Sequence, residues 1–213
     1  MSFLVLKFNE LTKIIYLFVG LTGVFIGLIQ FVNWLVAGSL TLLQSLTPSI
    51  TVSLFILGLL LRTVTIKHKF LSIIIGKPII HGLWKGNLTS NFEVNGQKIP
   101  PIEIYFFIKQ TFLITTIKSY TSHQASESII TALSHNKDSE ISDFIYIYKF
   151  YRTKHSENKV TFGSGNLRLI NQGQTLEGFY WTTANTCGEI ELNLIERNCE
   201  SIDSYQLAKQ HDK

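Results

Sequence analysis

Two hydrophobic rhythms divide the chain. From Ile14 to Leu61 apolar residues follow one another with no charged side chain among them. From Ile79 onward apolar and polar residues alternate with a period of two. The first rhythm predicts membrane-spanning helices and the second predicts strands.

The charge-free run is too long for one crossing, because about 20 residues span the hydrocarbon core. Its middle, from Ala37-Gly38-Ser39 to Ser49, is rich in small and polar residues. The pattern predicts a helical hairpin. The first helix covers about residues 14–37, with Asn33-Trp34 near its far end as an interfacial anchor. Thr47-Pro48 reads as an N-cap followed by Pro at the first position of the second helix. A helix from Pro48 to Leu61 is only ~21 Å long at 1.5 Å per residue. The second helix must therefore begin earlier, kinked at Pro48, or continue to about Ile66 with Arg62 snorkelling. A signal peptide is too short to explain the run, and no clear small-x-small cleavage site precedes its second half. A buried pair of core helices is the competing interpretation, but such helices rarely lack charge over this length. Gly23-x-x-x-Gly27, with Gly20 a turn earlier, is a spacing that lets two helix backbones approach closely, within the hairpin or between chains.

The β pattern is clearest in Gly188-Glu-Ile-Glu-Leu-Asn-Leu-Ile195, where Ile190, Leu192 and Leu194 share one face. Turn-forming clusters at Asn95-Gly96, Ser134–Asp138, His155–Asn158, Asn171-Gln-Gly173 and Asn185–Gly188 separate the runs. They mark strands near 80–90, 101–109, 111–121, 126–134, 143–152 and 158–163, a hairpin of 166–171 and 176–183, and a last strand at 188–196. The predicted fold class is an N-terminal two-helix transmembrane hairpin plus an all-β body, a small antiparallel β-barrel of about eight strands. The expected domains are a hairpin with a basic juxtamembrane collar (1–78), a cytoplasmic barrel (79–200) and a polar C-terminal tail (201–213), a short helix or a frayed end. The stretch 62–79 would join the second helix to the first strand with little linker.

Composition sharpens this picture. Only 16% of the 213 residues are charged, which excludes intrinsic disorder, and two Cys exclude a disulfide scaffold. The net charge of +4 is not spread over the body. Arg62, Lys67, Lys69, Lys77 and Lys85 follow the apolar run before any acid, whereas residues 86–213 hold 12 basic and 14 acidic residues. A nucleic-acid-binding domain would carry the excess on its folded body, so neither DNA nor RNA is an expected partner. A collar of this kind suits an anionic bilayer surface. The tip of the hairpin, 36–50, has no Lys or Arg, so both termini and the barrel should face the cytoplasm of a bacterial inner membrane, where Cys187 and Cys199 would stay reduced.

Catalytic signatures are missing from the sequence. The six His form no HxxxH or HExxH pair, and no P-loop, GxSxG or dinucleotide fingerprint occurs. Phe162-Gly-Ser-Gly165 reads as a hairpin turn and not as a phosphate loop. The expectation is no enzyme, no catalytic residue, no metal and no cofactor.

One succession of motifs goes further. His81-Gly-Leu-Trp84-Lys-Gly86 comes first, then Lys109-Gln110, Ser119-Tyr-Thr-Ser122-His-Gln-Ala-Ser126 and Tyr146-Ile-Tyr148. Leu167-x-Leu169, Leu176-x-Gly178-x-Tyr180-Trp-Thr182 and Gly188-x-Ile190 close it. Behind an N-terminal hairpin, this order resembles the SMODS-associated two-transmembrane β-strand-rich effectors over nearly the whole chain. Phe112 stands where that family more usually has Trp, and the run after Tyr148 lacks its usual Asn and Pro. Phe162-Gly163 also lacks the His that often precedes it. The resemblance implies a role in cyclic-oligonucleotide antiphage signalling (CBASS). A CD-NTase makes a cyclic di- or oligonucleotide, the barrel binds it, the chains form a homo-oligomer, and the helices disrupt the membrane and kill the infected cell.

The residues themselves offer matching chemistry. Thr115, Thr116, Ser119, Thr121, Ser122 and Ser126 could donate to phosphate oxygens, Tyr146, Tyr148, Tyr180 and Trp181 could stack on bases, and Arg152 could form a phosphate fork. Trp84 is either a base platform or a barrel plug. The ligand-binding candidates are Trp84, Thr116, Ser119, Ser122, Tyr146, Tyr148, Arg152, Tyr180 and Thr182, and the helix-packing candidates are Gly20, Gly23 and Gly27. Each has a plainer interpretation as an exposed strand hydroxyl, a core aromatic, an ordinary membrane-helix glycine or, for Arg152, a solvated pair with Glu157. The rival functions are a constitutive tethered barrel that binds a lipid or other apolar small molecule, and a docking subunit of a membrane complex.

Overall fold

The computed structural model describes residues 7–136, 141–152 and 160–212. These form two compact units, one ending at Val64 and one running from Thr65 onward.

The first unit is an antiparallel pair of helices, α1 (Phe8–Leu35) and α2 (Leu42–Thr63). Both are long and apolar enough to cross a membrane. At ~1.5 Å per residue the 22 residues of α2 reach ~33 Å. That helix starts earlier than Pro48 because Thr41 supplies a better cap. Its Oγ1 accepts from Gln44 N, and the Gln44 side chain accepts from Thr41 N at 2.8 Å. Pro48 lies inside the helix. At the tip Asn33 does more than mark an interface. Its Nδ2 donates to Leu40 O at 3.1 Å and its Oδ1 accepts from Leu40 N at 3.3 Å. Gln30 Nε2 donates to Ser45 Oγ at 3.2 Å, so polar groups near the turn find partners within the pair.

The face of α2 turned to α1 carries Ser45, Ser49, Ser53 and Leu57, spaced four apart and buried. Small side chains there let the backbones close up. Gly20, Gly23 and Gly27 do not take part: a Cβ at any of them would meet nothing within 4 Å. Of the two contacts the GxxxG left open, the intramolecular one is therefore not made.

In the second unit eight strands close a barrel in the order β1-β10-β9-β8-β7-β6-β5-β4, every neighbouring pair antiparallel. They are β1 (Gly82–Ser90), β4 (Ile102–Gln110), β5 (Thr115–Tyr120), β6 (Gln124–His135), β7 (Ser142–Arg152), β8 (Thr161–Ile170), β9 (Thr175–Thr182) and β10 (Cys187–Glu196). The short strands β2 (Glu93–Val94) and β3 (Gln97–Lys98) make a small hairpin around Asn95-Gly96 in the β1–β4 connection. The chain meets this unit at once after α2. Thr65 bridges Thr111 and Ile66 N donates to Gln110 O at 2.8 Å, ahead of a short helix α3 (Lys69–Ile75). The second compact unit accordingly begins at Thr65, so the collar segment packs with it.

Two sequence expectations change. The strands expected at 158–163 and 166–171 are, within the described residues, one strand, β8, and Gly163-Ser164-Gly165 continues it instead of turning; residues 158 and 159, with the expected turn at 155–158, lie outside the described residues. The C-terminal stretch takes the first of its two expected forms, a short helix, but packs on the barrel instead of standing apart as a tail. Cys199, Ile202, Ala208 and the flanking Tyr205 and Leu207, with α4 (Tyr205–Gln210), pack on Leu83, Tyr105, Phe107 and Tyr120 on the outside of β1, β4 and β5. Tyr120 OH donates to Ile202 O at 3.0 Å, Tyr205 OH donates to Glu103 at 2.6 Å, and Lys85 pairs with Asp212. This covering explains why the middle of β4, Ile104–Ile108, is apolar at every position: both of its faces are buried there.

Candidate functional site

The barrel is plugged at one end and hollow at the other. Trp84 is fully buried at the plugged end, where its Nε1 donates to Ile80 O at 3.0 Å and the Arg197 guanidinium lies 5.6 Å from the ring centroid. Arg197 also donates to the carbonyls of Ile79, His81 and Gly173. Gln110 Oε1 accepts from Ile80 N at 2.8 Å and from His81 N at 3.2 Å, while its Nε2 donates to Pro78 O. These contacts lock the chain across the barrel floor. Of the two readings of Trp84, the structure supports the plug.

Above this floor lies a cavity of about 700 Å³, within the usual size range of small-ligand sites. Its base is apolar, formed by Ile104, Phe106, Ile117 and Ile190 around the ring of Tyr146. Hydroxyls ring it higher up. Ser119 and Ser126 face each other across β5 and β6 with oxygens 2.7 Å apart, and Ser128 Oγ accepts from Ile117 N. At the mouth stand Thr121 and Ser122 of the β5–β6 turn, Thr182 and Thr186 flanking the β9–β10 turn, and Phe92 and Ile99–Pro101 beside the small hairpin. Thr182 and Thr186 share a hydrogen bond of 2.7 Å.

The wall along β7 is an aromatic ladder. Phe144, Tyr146, Tyr148 and Phe150 project inward at every second position, with successive ring centroids 5.9, 5.5 and 6.3 Å apart. Glycine on the neighbouring strand makes room for it. Tyr148 lies opposite Gly163 and Tyr146 opposite Gly165. A Cβ at either glycine would stand 2.4 Å from the Cζ of the facing ring. The two rings lie across β8 where side chains would otherwise sit. Burial holds the hydroxyls of Tyr146 and Tyr148 well above the ordinary phenol range, so both are neutral donors. Tyr146 OH is buried without a hydrogen-bond partner. Tyr180 completes the wall, its hydroxyl raised chiefly by burial.

The cavity thus gathers Ser119, Ser122, Tyr146, Tyr148, Tyr180 and Thr182. It does not gather Thr116, which shares the outward phase of β5 with Lys118 and Tyr120 and lies on the outer surface. Trp181 likewise points out and is half exposed. The side chain of Arg152, at the end of β7, lies outside the described residues. Among the described residues no Lys or Arg lines the cavity. Sequence reasoning missed Ser90, Ser128 and Thr186. Ser128 was in reach, since it keeps the period-two phase of Ser126. The mouth residues near the small hairpin carried no periodic signal.

No curated protein matches the chain significantly. A family model, the Cap15 cyclic dinucleotide receptor domain, matches residues 75–194, more than half of the chain and every strand from β1 to β9. The fold, the paired apolar helices and this match agree: the chain belongs to the Cap15 cyclic dinucleotide receptor family, whose members are CBASS effectors.

Proposed function

We propose that the barrel cavity binds a cyclic dinucleotide and that binding drives the chains to assemble and their helices to breach the bacterial inner membrane, without catalysis. The cavity itself carries this reading: a closed-bottomed hollow of about 700 Å³ that pairs stacking rings with hydroxyl donors. Bases would enter against Tyr146, Tyr148 and Tyr180, where each stacking contact is worth ~1–3 kcal/mol. The phosphodiesters would stay nearer the mouth, hydrogen-bonded by Ser119, Ser122, Thr182 and their neighbours. Neutral donors suit this position, because a phosphate sunk into the apolar base would lose its hydration without a counter-charge. For ligand to cause assembly it must bind the assembled form more tightly than the resting one. The outward GxxxG face of α1 supports contact between chains. The basic collar and the uncharged hairpin tip support a cytoplasmic barrel, and a CD-NTase would supply the ligand.

Calorimetric titration of the full chain in detergent with cyclic di- and trinucleotides tests the receptor step. Saturable binding of a cyclic dinucleotide is expected, and heat-free titrations with every cyclic nucleotide tried would remove the proposal. The absence of Lys and Arg from the described lining favours one rival, a site for an apolar small molecule. That rival predicts binding of a fatty acid probe that no cyclic nucleotide displaces.

A further inference from the structure

A separate cavity of about 370 Å³ opens on the outside of the barrel, beside its plugged end. Thr65 and Lys67 of the entering segment, His81, Lys109 of β4, Lys118 of β5 and Glu200–Asp203 wall it. None of them lines the large cavity. Lys109 is paired with Thr116 and Lys118 with Phe107, so both lysines project from the outer face of adjacent strands. Lys67 Nζ lies 2.8 Å from a Glu200 carboxylate oxygen, and the Glu200 side chain is 80% exposed. Asp203 is the second acid at the rim.

His81 is the unusual member. It is 2% exposed, and neither ring nitrogen has a hydrogen-bond partner. Burial above all, then the charge of Lys67, lowers its pKa to about 4; the Ile108 backbone opposes the shift, and Arg197 and Lys109 add to the lowering by less. The ring is therefore neutral and keeps one N–H to donate. Arg197 does not line this cavity, and its guanidinium is already bonded to three backbone carbonyls. An unpartnered buried donor beside three ammonium groups is arranged to take a compact anion with several acceptor oxygens. Glu200 presently supplies such oxygens to Lys67, and its exposure leaves it free to swing aside.

We infer that this outer pocket binds a phosphate group, held by Lys67, Lys109 and Lys118 with His81 as a neutral donor. Two sources carry that chemistry, a free phosphate and the headgroup of an anionic phospholipid. Chain connectivity points to the lipid. Thr65 is the second residue after the end of α2 at Thr63, a reach of no more than ~7 Å of extended chain. This choice of source rests on α2 crossing a bilayer, whereas the phosphate site does not depend on it, nor on the ligand of the inner cavity.

The test uses the full chain and a K109Q/K118Q variant, both residues exposed on the outer face and so replaceable without touching the core. Short-chain phosphatidylglycerol, short-chain phosphatidylcholine and inorganic phosphate are titrated separately into protein in a non-ionic detergent, and circular dichroism checks the fold. Saturable one-to-one binding of phosphatidylglycerol, weakened about tenfold or more in the variant and accompanied by a shift of the His81 ring nitrogen resonances, supports the lipid site. Inorganic phosphate binding with the same variant dependence, and no preference for phosphatidylglycerol over phosphatidylcholine, supports the pocket with a soluble occupant. No saturable binding of any probe, or binding indifferent to K109Q/K118Q, overturns it.

Discussion

Gly165 faces Tyr146 across β7 and β8, and a Cβ at the glycine would stand 2.4 Å from the tyrosine Cζ. The ring that forms the base of the cavity exists in its present place only because the next strand has no side chain there. Gly163 stands in the same relation to Tyr148 one step nearer the mouth.

The two glycines should respond differently to alanine. Tyr146 is buried, with Phe106 and Phe144 against it, so Gly165→Ala is expected to cost ~1–3 kcal/mol. Tyr148 is only partly buried and can turn into the cavity. Gly163→Ala should therefore lower the thermal midpoint less and the cyclic dinucleotide affinity more. Thermal unfolding and calorimetry on both variants settle the order, and equal midpoint losses would contradict it.

Tyr146→Phe separates stability from recognition. The hydroxyl has no partner inside the protein, so its loss should leave the thermal midpoint unchanged or raise it. If a base uses that hydroxyl, affinity falls by about 1 kcal/mol, roughly fivefold. A clear fall in stability without ligand would show that a hidden partner exists.

Thr116 and Ser119 test which face of β5 meets the ligand. Ser119→Ala removes a cavity hydroxyl bonded to Ser126 and should weaken binding, while Thr116→Ala should leave it unchanged. Trp84→Ala belongs to neither class: it empties the plug and is expected to cost ~3–5 kcal/mol of stability. Loss of affinity in a folded Thr116→Ala variant would reverse the assignment.

His81 predicts a pH dependence with a definite sign. Its folded pKa of about 4 lies below the ordinary 6.5, so the unfolded chain binds the proton more readily. The neutral ring's contribution to stability is complete above pH ~6.5 and is lost as pH falls toward 4, by up to ~3 kcal/mol. Denaturant midpoints across that window should decline less in His81→Phe, and identical slopes would rule His81 out as the cause.

In the hairpin, Gly23→Leu with Gly27→Leu should leave the α1–α2 pair and cyclic dinucleotide binding intact, because both positions face open space. Membrane depolarisation in cells that also make the CD-NTase should nevertheless disappear. Ser49→Leu is the contrasting variant, since Ser49 is buried against α1 and a large side chain there forces the helices apart. Depolarisation that survives the glycine changes would place chain-to-chain contact elsewhere.

Much of the architecture was legible because it depends on solvent preference, which a linear pattern records. A stretch without charge from Ile14 to Leu61 belongs in lipid, and a period of two belongs on a sheet with one wet face. The aromatic ladder from Phe144 to Phe150 and the serines 119 and 126 were visible in the same way. Other features depend on what lies across from a residue, and spacing carries no such information. Gly163-Ser164-Gly165 looked like a turn because its partners, two tyrosine rings, are on another strand. Thr116 looked like its neighbour Ser119 until the closed sheet fixed which phase of β5 pointed inward. The C-terminal stretch read as a polar tail because the residues it covers, Tyr105, Phe107 and Tyr120, lie on strands far back in the chain. By itself the sequence determined the two-part build, the barrel class and the chemistry available to it. Tertiary structure alone decided the cavity's depth and members, which follow from barrel closure and cross-strand contact, and the open face of α1, which follows from the way α2 packs on it; both depend on residues far apart in the chain.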